Sequence, residues 1–365
     1  MNRFKRALIS WLLFITVLVV MCPLAFAERE EPGVRDGFIL DGGAVFLMTD
    51  GTVRVLQDER FEMDFSYYCF PVTECVNWTG IIQLQKCNDV IAGLRKDGTV
   101  IASGREDYVR EISEWNSITE LYGLSGDYSL IAGLREDGRV LIVGEDPFAE
   151  WDGESFDSDF FHTIESWRNV KKLIIGVCAA GGYAAAVHDD GTVSHRVYDA
   201  GWSGTPEHVV DLDCSGWGLI ALREDGTCVV NGEDSLGYRE ITDAWTDLKQ
   251  VGCGDTFAIG LLSDGTFVTS HENSEDRPDA ISEEFAALRD IDHFECSTNN
   301  AITAYRKDGT VELFLNTFDT GNEEIRSWTN IEKILVSLSY GSAPIIIGIK
   351  TDGTLISTVG EIRLN

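Results

Sequence analysis

An Asp-Gly motif recurs eight times along the chain and constrains its fold more than any other feature. The eight aspartates are Asp50, Asp97, Asp137, Asp190, Asp225, Asp264, Asp308 and Asp352. Successive copies lie 35 to 53 residues apart. Spacings of this size are typical of propellers and solenoid arrays, in which each repeat is one supersecondary unit. The motif therefore predicts an array of eight related units.

Apolar residues on both sides of each Asp-Gly pair predict a tight β-hairpin. The residues three positions before the Asp are Leu47, Leu94, Leu134, Val187, Leu222, Leu261, Tyr305 and Ile349. The position before these is Gly or Ala in every copy except the first, which has Phe46. A two-residue turn between such strands needs positive φ, which Gly and Asp tolerate. We expect the small position to mark a place where neighbouring backbones crowd together.

A second signal precedes most hairpins, namely an aromatic residue followed three positions later by an aliphatic one. The pairs are Trp78 with Ile81, Trp115 with Ile118, Trp167 with Val170, Trp245 with Leu248, Phe285 with Leu288 and Trp328 with Ile331. Each unit is interpreted as a strand, a hairpin of two strands, a variable loop and a fourth strand. Four antiparallel strands per unit predict an all-β chain that folds as a β-propeller.

The order Trp-x-x-Ile, a small residue, then Gly-Leu-x-x-Asp-Gly-Thr-Val resembles the repeat of the regulator of chromosome condensation family, especially its shorter bacterial secreted members. The resemblance covers residues 37 to 365 and implies a propeller, typically with seven blades. The hairpins instead number eight. The first unit has Phe46 and no tryptophan signal, so it is also interpreted as a capping or closing element, and both blade numbers stay open.

Residues 1–27 have the pattern of a secretory signal peptide: a basic start, an apolar stretch of about fifteen residues and a small-residue cleavage site at Ala25 to Ala27. The alternatives are an uncleaved anchor helix and a lipoprotein signal at Cys22. No later stretch has the length and hydrophobicity of a second span. We expect residues 28–365 to form a single propeller domain that is secreted or held at the extracytoplasmic cell surface.

The chain is strongly acidic, with a formal net charge of −32. Three of its 29 basic residues fall in the signal peptide, which leaves 26 against 61 acidic side chains. Such a surface repels phosphate backbones and anionic lipid, so nucleic acid and membranes beyond the signal peptide are excluded as partners. We expect a monomer that binds a protein or a glycan, with cationic partners favoured. The alternative is that the acidity serves only solubility.

Eight cysteines remain after signal removal, and repeat position separates them into two classes. Five lie ten to twelve residues before their Asp, at a repeated small position that is expected to be buried: Cys87, Cys178, Cys214, Cys253 and Cys296. Cys228 replaces a strand valine. These six are expected to be buried free thiols. Cys69 and Cys75 lie together in a loop and are the candidate disulfide.

No enzyme or metal signature is present in the sequence, so we expect no catalytic residues, no metal and no cofactor. His188 and His195 flank one hairpin and could form a metal pair, but no third ligand is placed with them. The function expected is a non-enzymatic interaction module. The alternative is a polysaccharide lyase or hydrolase acting at the mouth of the propeller channel.

Departures from the repeat are where binding specificity is expected. The candidate binding residues are Phe148, Trp151, Phe156, Asp157, Asp159 and Phe160 in the loop 144–162, Tyr67 and Tyr68 in the loop 61–75, and Trp202 in a third loop. Exposed aromatic rings supply contact area, and carboxylates select cationic partners. The alternatives are that the rings fold back onto the blade, or that the acidic residues of the first loop bind calcium.

Overall fold

The chain divides into two compact units, residues 1–33 and residues 34–365. The computed structural model describes residues 31–61, 72–124, 129–145, 150–151, 154–155, 159–178, 181–196, 202–214, 218–232, 244–254, 257–270, 281, 283–296, 301–315, 322–337 and 344–364. Every strand and helix that is described belongs to the second unit. The predicted signal peptide lies outside the described residues.

The second unit is a β-propeller built from eight three-stranded antiparallel sheets. Blade 1 contains β1 (Val34–Leu40), β2 (Gly43–Met48) and β3 (Val53–Gln57); blade 2 contains β4 (Ile81–Lys86), β5 (Val90–Arg95) and β6 (Val100–Gly104); blade 3 contains β7 (Ile118–Leu124), β8 (Leu130–Arg135) and β9 (Val140–Gly144). A two-stranded hairpin follows blade 3, with β10 (Glu150–Trp151) and β11 (Glu154–Ser155).

The remaining five blades repeat this order. Blade 4 contains β12 (Val170–Cys178), β13 (Gly181–His188) and β14 (Val193–Arg196); blade 5 contains β15 (Val209–Cys214), β16 (Gly218–Arg223) and β17 (Cys228–Gly232); blade 6 contains β18 (Leu248–Cys253), β19 (Ala258–Leu262) and β20 (Phe267–Thr269); blade 7 contains β21 (Ile291–Cys296), β22 (Ala301–Arg306) and β23 (Val311–Leu315); blade 8 contains β24 (Ile331–Ser337), β25 (Ile345–Lys350) and β26 (Leu355–Ser357). The blade number is eight, as the hairpins indicate.

Short helices occupy several connections between blades. They are 3-10 helices at Glu59–Phe61 and Val72–Asn77, and α1 (Glu106–Ile112), α2 (Phe160–Ser166), α3 (Glu283–Ala286) and α4 (Asn322–Arg326). The expected fourth strand of each blade is not confirmed. Between β6 and β7, where every residue is described, the chain forms α1 instead, and this helix contacts the outer strand β6. Tyr108 and Ile112 of α1 are buried, so an apolar helix face covers the sheet edge.

Each Asp-Gly hairpin has the same turn. The glycine has a φ between 71° and 87°, and its N–H donates to the carbonyl three residues earlier at 2.7–3.0 Å. The expectation that Asp also has a positive φ is wrong. In the Asp97 turn the carboxylate accepts the N–H of Thr99 at 3.0 Å and its hydroxyl at 2.7 Å. Seven of the eight turns share both contacts, because all but Asp137 are followed by Gly-Thr.

A backbone hydrogen bond joins every blade to the next at these turns. The first residue of each first strand donates its N–H to the carbonyl of the turn glycine in the preceding blade. Ile118, for example, donates to the carbonyl of Gly98 at 3.0 Å. Val34 donates to Gly353 at 2.8 Å, so the same bond joins blade 8 to blade 1 and closes the ring. First strands of neighbouring blades contact one another, and β1 contacts β24. The first strands are therefore the inner strands of the ring.

The hydrophobic core consists of eight clusters, one between each pair of neighbouring blades. Where the small position is Gly, in blades 2, 3, 6 and 8, it faces a tryptophan, not another backbone as expected. A Cβ added at Gly93 would lie 3.0 Å from the ring of Trp78 and 3.1 Å from Ile81. Blade 1 has no such tryptophan, and there the fully buried Phe46 fills the small position. Phe46 thus compensates for the missing ring.

Gly138→Ala is expected to lower the free energy of unfolding by about 2 kcal/mol or more, because its φ of 71° strains an L-residue and the new Cβ would lie 2.6 Å from the Cα of Asn169. Chemical denaturation measures the change. The neighbouring variant Arg139→Ala removes only an exposed side chain and is expected to change stability by less than about 0.5 kcal/mol. Equal effects of the two variants would contradict this account of the turn.

Thr99→Val is expected to raise the pKa of Asp97, because the hydroxyl of Thr99 is the main cause that holds this pKa below its usual value. A carboxyl group whose pKa is lowered in the folded state stabilises the fold at pH values above its pKa in the unfolded state. This stabilisation is lost as the pH falls through the folded-state pKa. The variant should therefore be less stable at pH 7 and converge with the parent in acid. NMR titration of the carboxyl carbon tests the pKa, and Thr99→Ser, which keeps the hydroxyl, is the control.

Candidate functional site

The two rims of the propeller differ in what they contain. All eight Asp-Gly turns lie at one end of the blades, here called the turn rim. Since the strands of a blade are antiparallel, each outer strand ends at the opposite end, the loop rim. The three aromatic segments singled out in the sequence follow β3, β9 and β14, which are outer strands of blades 1, 3 and 4. All three segments therefore begin at the loop rim.

The segment between β9 and α2, residues 145–159, is called the anchored loop because described contacts hold both of its ends. Glu145 contacts Arg105 of the blade 2 connection at 3.4 Å. Asp159 contacts Arg196 of blade 4 at 3.1 Å. Within the loop, Trp151 pairs with Glu154 in the β10–β11 hairpin. One exposed ion pair to a neighbouring blade thus lies at each end of the loop.

The predicted binding residues of the anchored loop have different outcomes. Phe148, Phe156 and Asp157 lie outside the described residues, and of Trp151 only the backbone is described. Asp159 is exposed. Phe160, immediately after the loop, is fully buried between blades 3 and 4. Phe160 therefore follows the alternative expectation, that the ring folds back onto the blade, and it is part of the core.

Trp202 lies between blades 4 and 5. Its indole N–H donates to Nε2 of His195 at 3.2 Å, and the two rings meet edge to face at 5.6 Å. Its backbone bridges to Asn231 at the edge of blade 5. Trp202 is half-buried, so part of its ring contributes to packing and part remains accessible. Tyr67 and Tyr68, the candidates in blade 1, lie outside the described residues.

Polar side chains of the inner strands connect neighbouring blades around the centre of the ring. Gln83 of blade 2 donates to the carbonyl of Leu121 at 2.9 Å and accepts the N–H of the same residue at 2.8 Å. Gln250 makes the same pair of contacts with Phe294 between blades 6 and 7. Each glutamine thus replaces a missing backbone partner between two strands.

Charged side chains make the equivalent connections elsewhere in the centre. Lys172 pairs with Asp211 between blades 4 and 5, and Lys333 pairs with Asp36 between blades 8 and 1. Asp213 accepts the N–H groups of Cys214 and of Cys253 in the next blade, both at 2.9 Å. Desolvation inside the ring raises the pKa of Asp213 to about 6.

The thiols are placed mainly as their repeat position predicts. Cys87, Cys214, Cys228 and Cys253 are buried and Cys296 is half-buried, while the side chain of Cys178 is not described. Burial raises the pKa of each of the thiols of Cys87, Cys214 and Cys296. Cys75 is also buried, with a pKa raised to about 12 by desolvation. Cys69 lies outside the described residues, so its pairing with Cys75 stays a prediction.

The two histidines of the blade 4 hairpin make separate contacts. The ring nitrogens of His188 lie 2.7 Å from the carbonyl of Arg168 and 2.7 Å from the hydroxyl of Ser194, whereas His195 accepts from Trp202. Within the described part of the chain no three His, Cys, Asp or Glu side chains are grouped to hold a metal ion. No helix of the described residues is both long and apolar enough to cross a membrane.

Sequence reasoning missed the residues that support the two ends of the anchored loop and the centre of the ring. Arg105, Glu145 and Arg196 look like ordinary surface charges in the sequence. Gln83 and Gln250 share one repeat position, two residues after the start of an inner strand, and this shared position is the signal that could have identified them. Asp213 has no comparable signal.

No protein-family model and no curated protein matches the chain. Several solved structures are similar. The computationally designed protein Ika8 has 13% identity over 90% of this chain and 96% of its own, with a TM-score of 0.47. The ectodomain of the receptor kinase CR4 from Physcomitrella patens has 12% identity over 76% and 72%, with a TM-score of 0.46. Prp20p from Saccharomyces cerevisiae has 13% identity over 67% and 73%, with a TM-score of 0.39. Similarity at this level says nothing about what the chain binds.

Phe160→Ala is expected to lower the free energy of unfolding by about 3–5 kcal/mol, because it leaves a cavity between blades 3 and 4. Thermal and chemical denaturation measure the loss. Asp159→Ala removes one exposed ion pair beside it and is expected to cost no more than about 1 kcal/mol. A stable Phe160→Ala protein would contradict the core position of this ring.

Proposed function

We propose that the chain is a secreted, non-enzymatic interaction module of the bacterial chromosome-condensation-regulator type, which binds a protein or a glycan through the loop rim. The observation that carries the proposal is the common origin of the aromatic segments. The segments after β3, β9 and β14 differ in sequence but leave from the same rim. A rigid ring that presents several aromatic loops on one side suits recognition of a partner larger than a small molecule.

The anchored loop is the strongest candidate within this rim. Exposed ion pairs with Arg105 and Arg196 lie at its two ends, next to blades 2 and 4. A binding loop whose ends are already held loses less conformational freedom when its partner arrives. Trp151 in the β10–β11 hairpin is its central aromatic residue, and aromatic residues are frequent among those that dominate binding energy.

The charge of the anchored loop favours a cationic partner. Residues 145–159 contain seven acidic and no basic residues, and the whole chain has a net charge of −32. Like charges around the ring reinforce one another, and a cationic partner would be attracted before contact. The affinity for such a partner should fall as ionic strength rises, because salt screens exposed charges.

Binding is tested by capture with the purified chain 28–365 against secreted and surface proteins of the source organism, and by a glycan array. For a captured partner, Trp151→Ala is expected to weaken affinity about thirtyfold, the effect of removing one dominant aromatic contact. Isothermal titration calorimetry at low and high salt measures the change. Lys96→Ala and Lys307→Ala alter exposed residues of the turn rim and serve as matched controls.

The outcomes separate the alternatives. A partner whose affinity depends on the lysine controls and not on Trp151 would move the site to the turn rim and overturn the proposal. Turnover of a polysaccharide or an ester by the intact chain would instead support a lyase or hydrolase at the channel mouth.

A further inference from the structure

The chain after the last strand passes from blade 8 onto blade 1. Thr358 is still part of blade 8, because its N–H donates to the carbonyl of Ile346 at 3.1 Å. The chain then bends at Gly360, whose φ is 90°. Residues 359–364, called the strap, contact blade 1 after this bend. We propose that the strap is a latch, which holds blade 8 against blade 1 and can open while the other blades stay folded.

Two arginines, one in β3 and one in the 3-10 helix that follows it, hold the strap through its backbone. Arg60 donates to the carbonyl of Val359 at 2.8 Å and to that of Glu361 at 3.1 and 3.2 Å. Arg54 donates to the carbonyl of Leu364 at 3.3 Å. Asp58 positions Arg60 by accepting from its guanidinium group. These bonds involve only backbone carbonyls of the strap, so they hold the strap in place whatever its side chains are.

Apolar side chains supply the second part of the attachment. Val359, Ile362 and Leu364 are half-buried and pack on the core cluster that blades 1 and 8 share. This cluster contains the fully buried Phe46 and Phe61 of blade 1. In blade 3 the same place before the inner strand is occupied by α1 and Trp115. At the interface of blades 8 and 1 the strap, which follows the last strand of blade 8, covers the shared cluster.

The strap differs from the strands of the blades in how it is held. Beyond Gly360 the described contacts that join the strap to blade 1 are guanidinium-to-carbonyl bonds and half-buried apolar contacts, and the Arg363–Glu361 ion pair lies within the strap itself. Every blade strand, in contrast, has a backbone ladder. Segments with few buried contacts and exposed hydrogen bonds open at a lower free energy than core strands. Gly360 has the conformational freedom to act as the pivot. Opening at this pivot would uncover the interface between blades 8 and 1, so the ladders of these two blades would open at a lower free energy while those of the other blades would not change.

The test is hydrogen exchange of a chain that ends at Thr358, compared with the full chain. The expected result is amide exchange at least about tenfold faster in β1–β3 and β24–β26, with blades 3 to 5 unchanged. A peptide of residues 358–365, added at millimolar concentration, should restore the protection. The same peptide with Ile362→Ser and Leu364→Ser should not.

Point variants of the full chain keep the proposal testable if the shortened chain does not fold. Arg60→Ala should produce the same local increase, whereas Glu361→Ala should not, because the bond to Arg60 uses the backbone carbonyl of Glu361 and its carboxylate pairs only with Arg363 within the strap. Unchanged exchange in blades 1 and 8 would overturn the proposal, since the strap would then hold nothing. A uniform increase in all eight blades would also overturn it, because the strap would then belong to one cooperative unit.

Discussion

A single backbone hydrogen bond, from the first residue of each inner strand to the turn glycine of the preceding blade, is the contact on which the ring depends. It requires the glycine carbonyl to face the next blade, and the positive φ of that glycine provides this orientation. The residue before each strand has a matching constraint: Ser117, Asn169 and His208 all have φ near 55°. One turn geometry, used eight times, therefore sets the angle between blades and brings Val34 to Gly353.

The parts of the fold that the sequence predicts are those that every repeat must supply. Gly98 and its equivalents are invariant within the chain because no other residue fits both the φ and the 3.0 Å approach to Ser117. The aromatic residue before the inner strand, present in six of the eight units, and the small residue of the hairpin are predictable because they recur at a fixed spacing. The residues of positive φ were not predicted, since Ser, Asn, His and Asp all occupy that position and leave no constant letter to find.

Where one repeat departs from the pattern, the compensation comes from elsewhere in the chain and is invisible to a repeat-by-repeat comparison. Blade 1 lacks its tryptophan, and the replacement is shared between Phe46 within the blade and the strap, which is about 300 residues away along the chain. Asp213 likewise joins blades 5 and 6, from a position that holds Gln85 in blade 2 and Tyr122 in blade 3. Contacts made once, between distant residues, carry no periodic signal. This is also why the sequence assigned Phe160 to a binding loop, whereas the structure places it in the core.

The difference between the two rims follows from where the repeated contacts lie. At the turn rim most residues make a specific hydrogen bond. The glycine carbonyl accepts from the next blade, and the aspartate accepts from the threonine that follows. The carbonyl of the residue before the inner strand accepts from the turn of the same blade. A change there alters the closure of the whole ring. At the loop rim the outer strand has ended, and the chain needs only to return to the next inner strand. The length and composition of this connection can therefore vary, as in the segment from Gly144 to Phe160. The hairpin turn, as from Leu94 to Val100, has no such freedom. A scaffold that fixes one rim eight times over thereby leaves the other rim available for recognition.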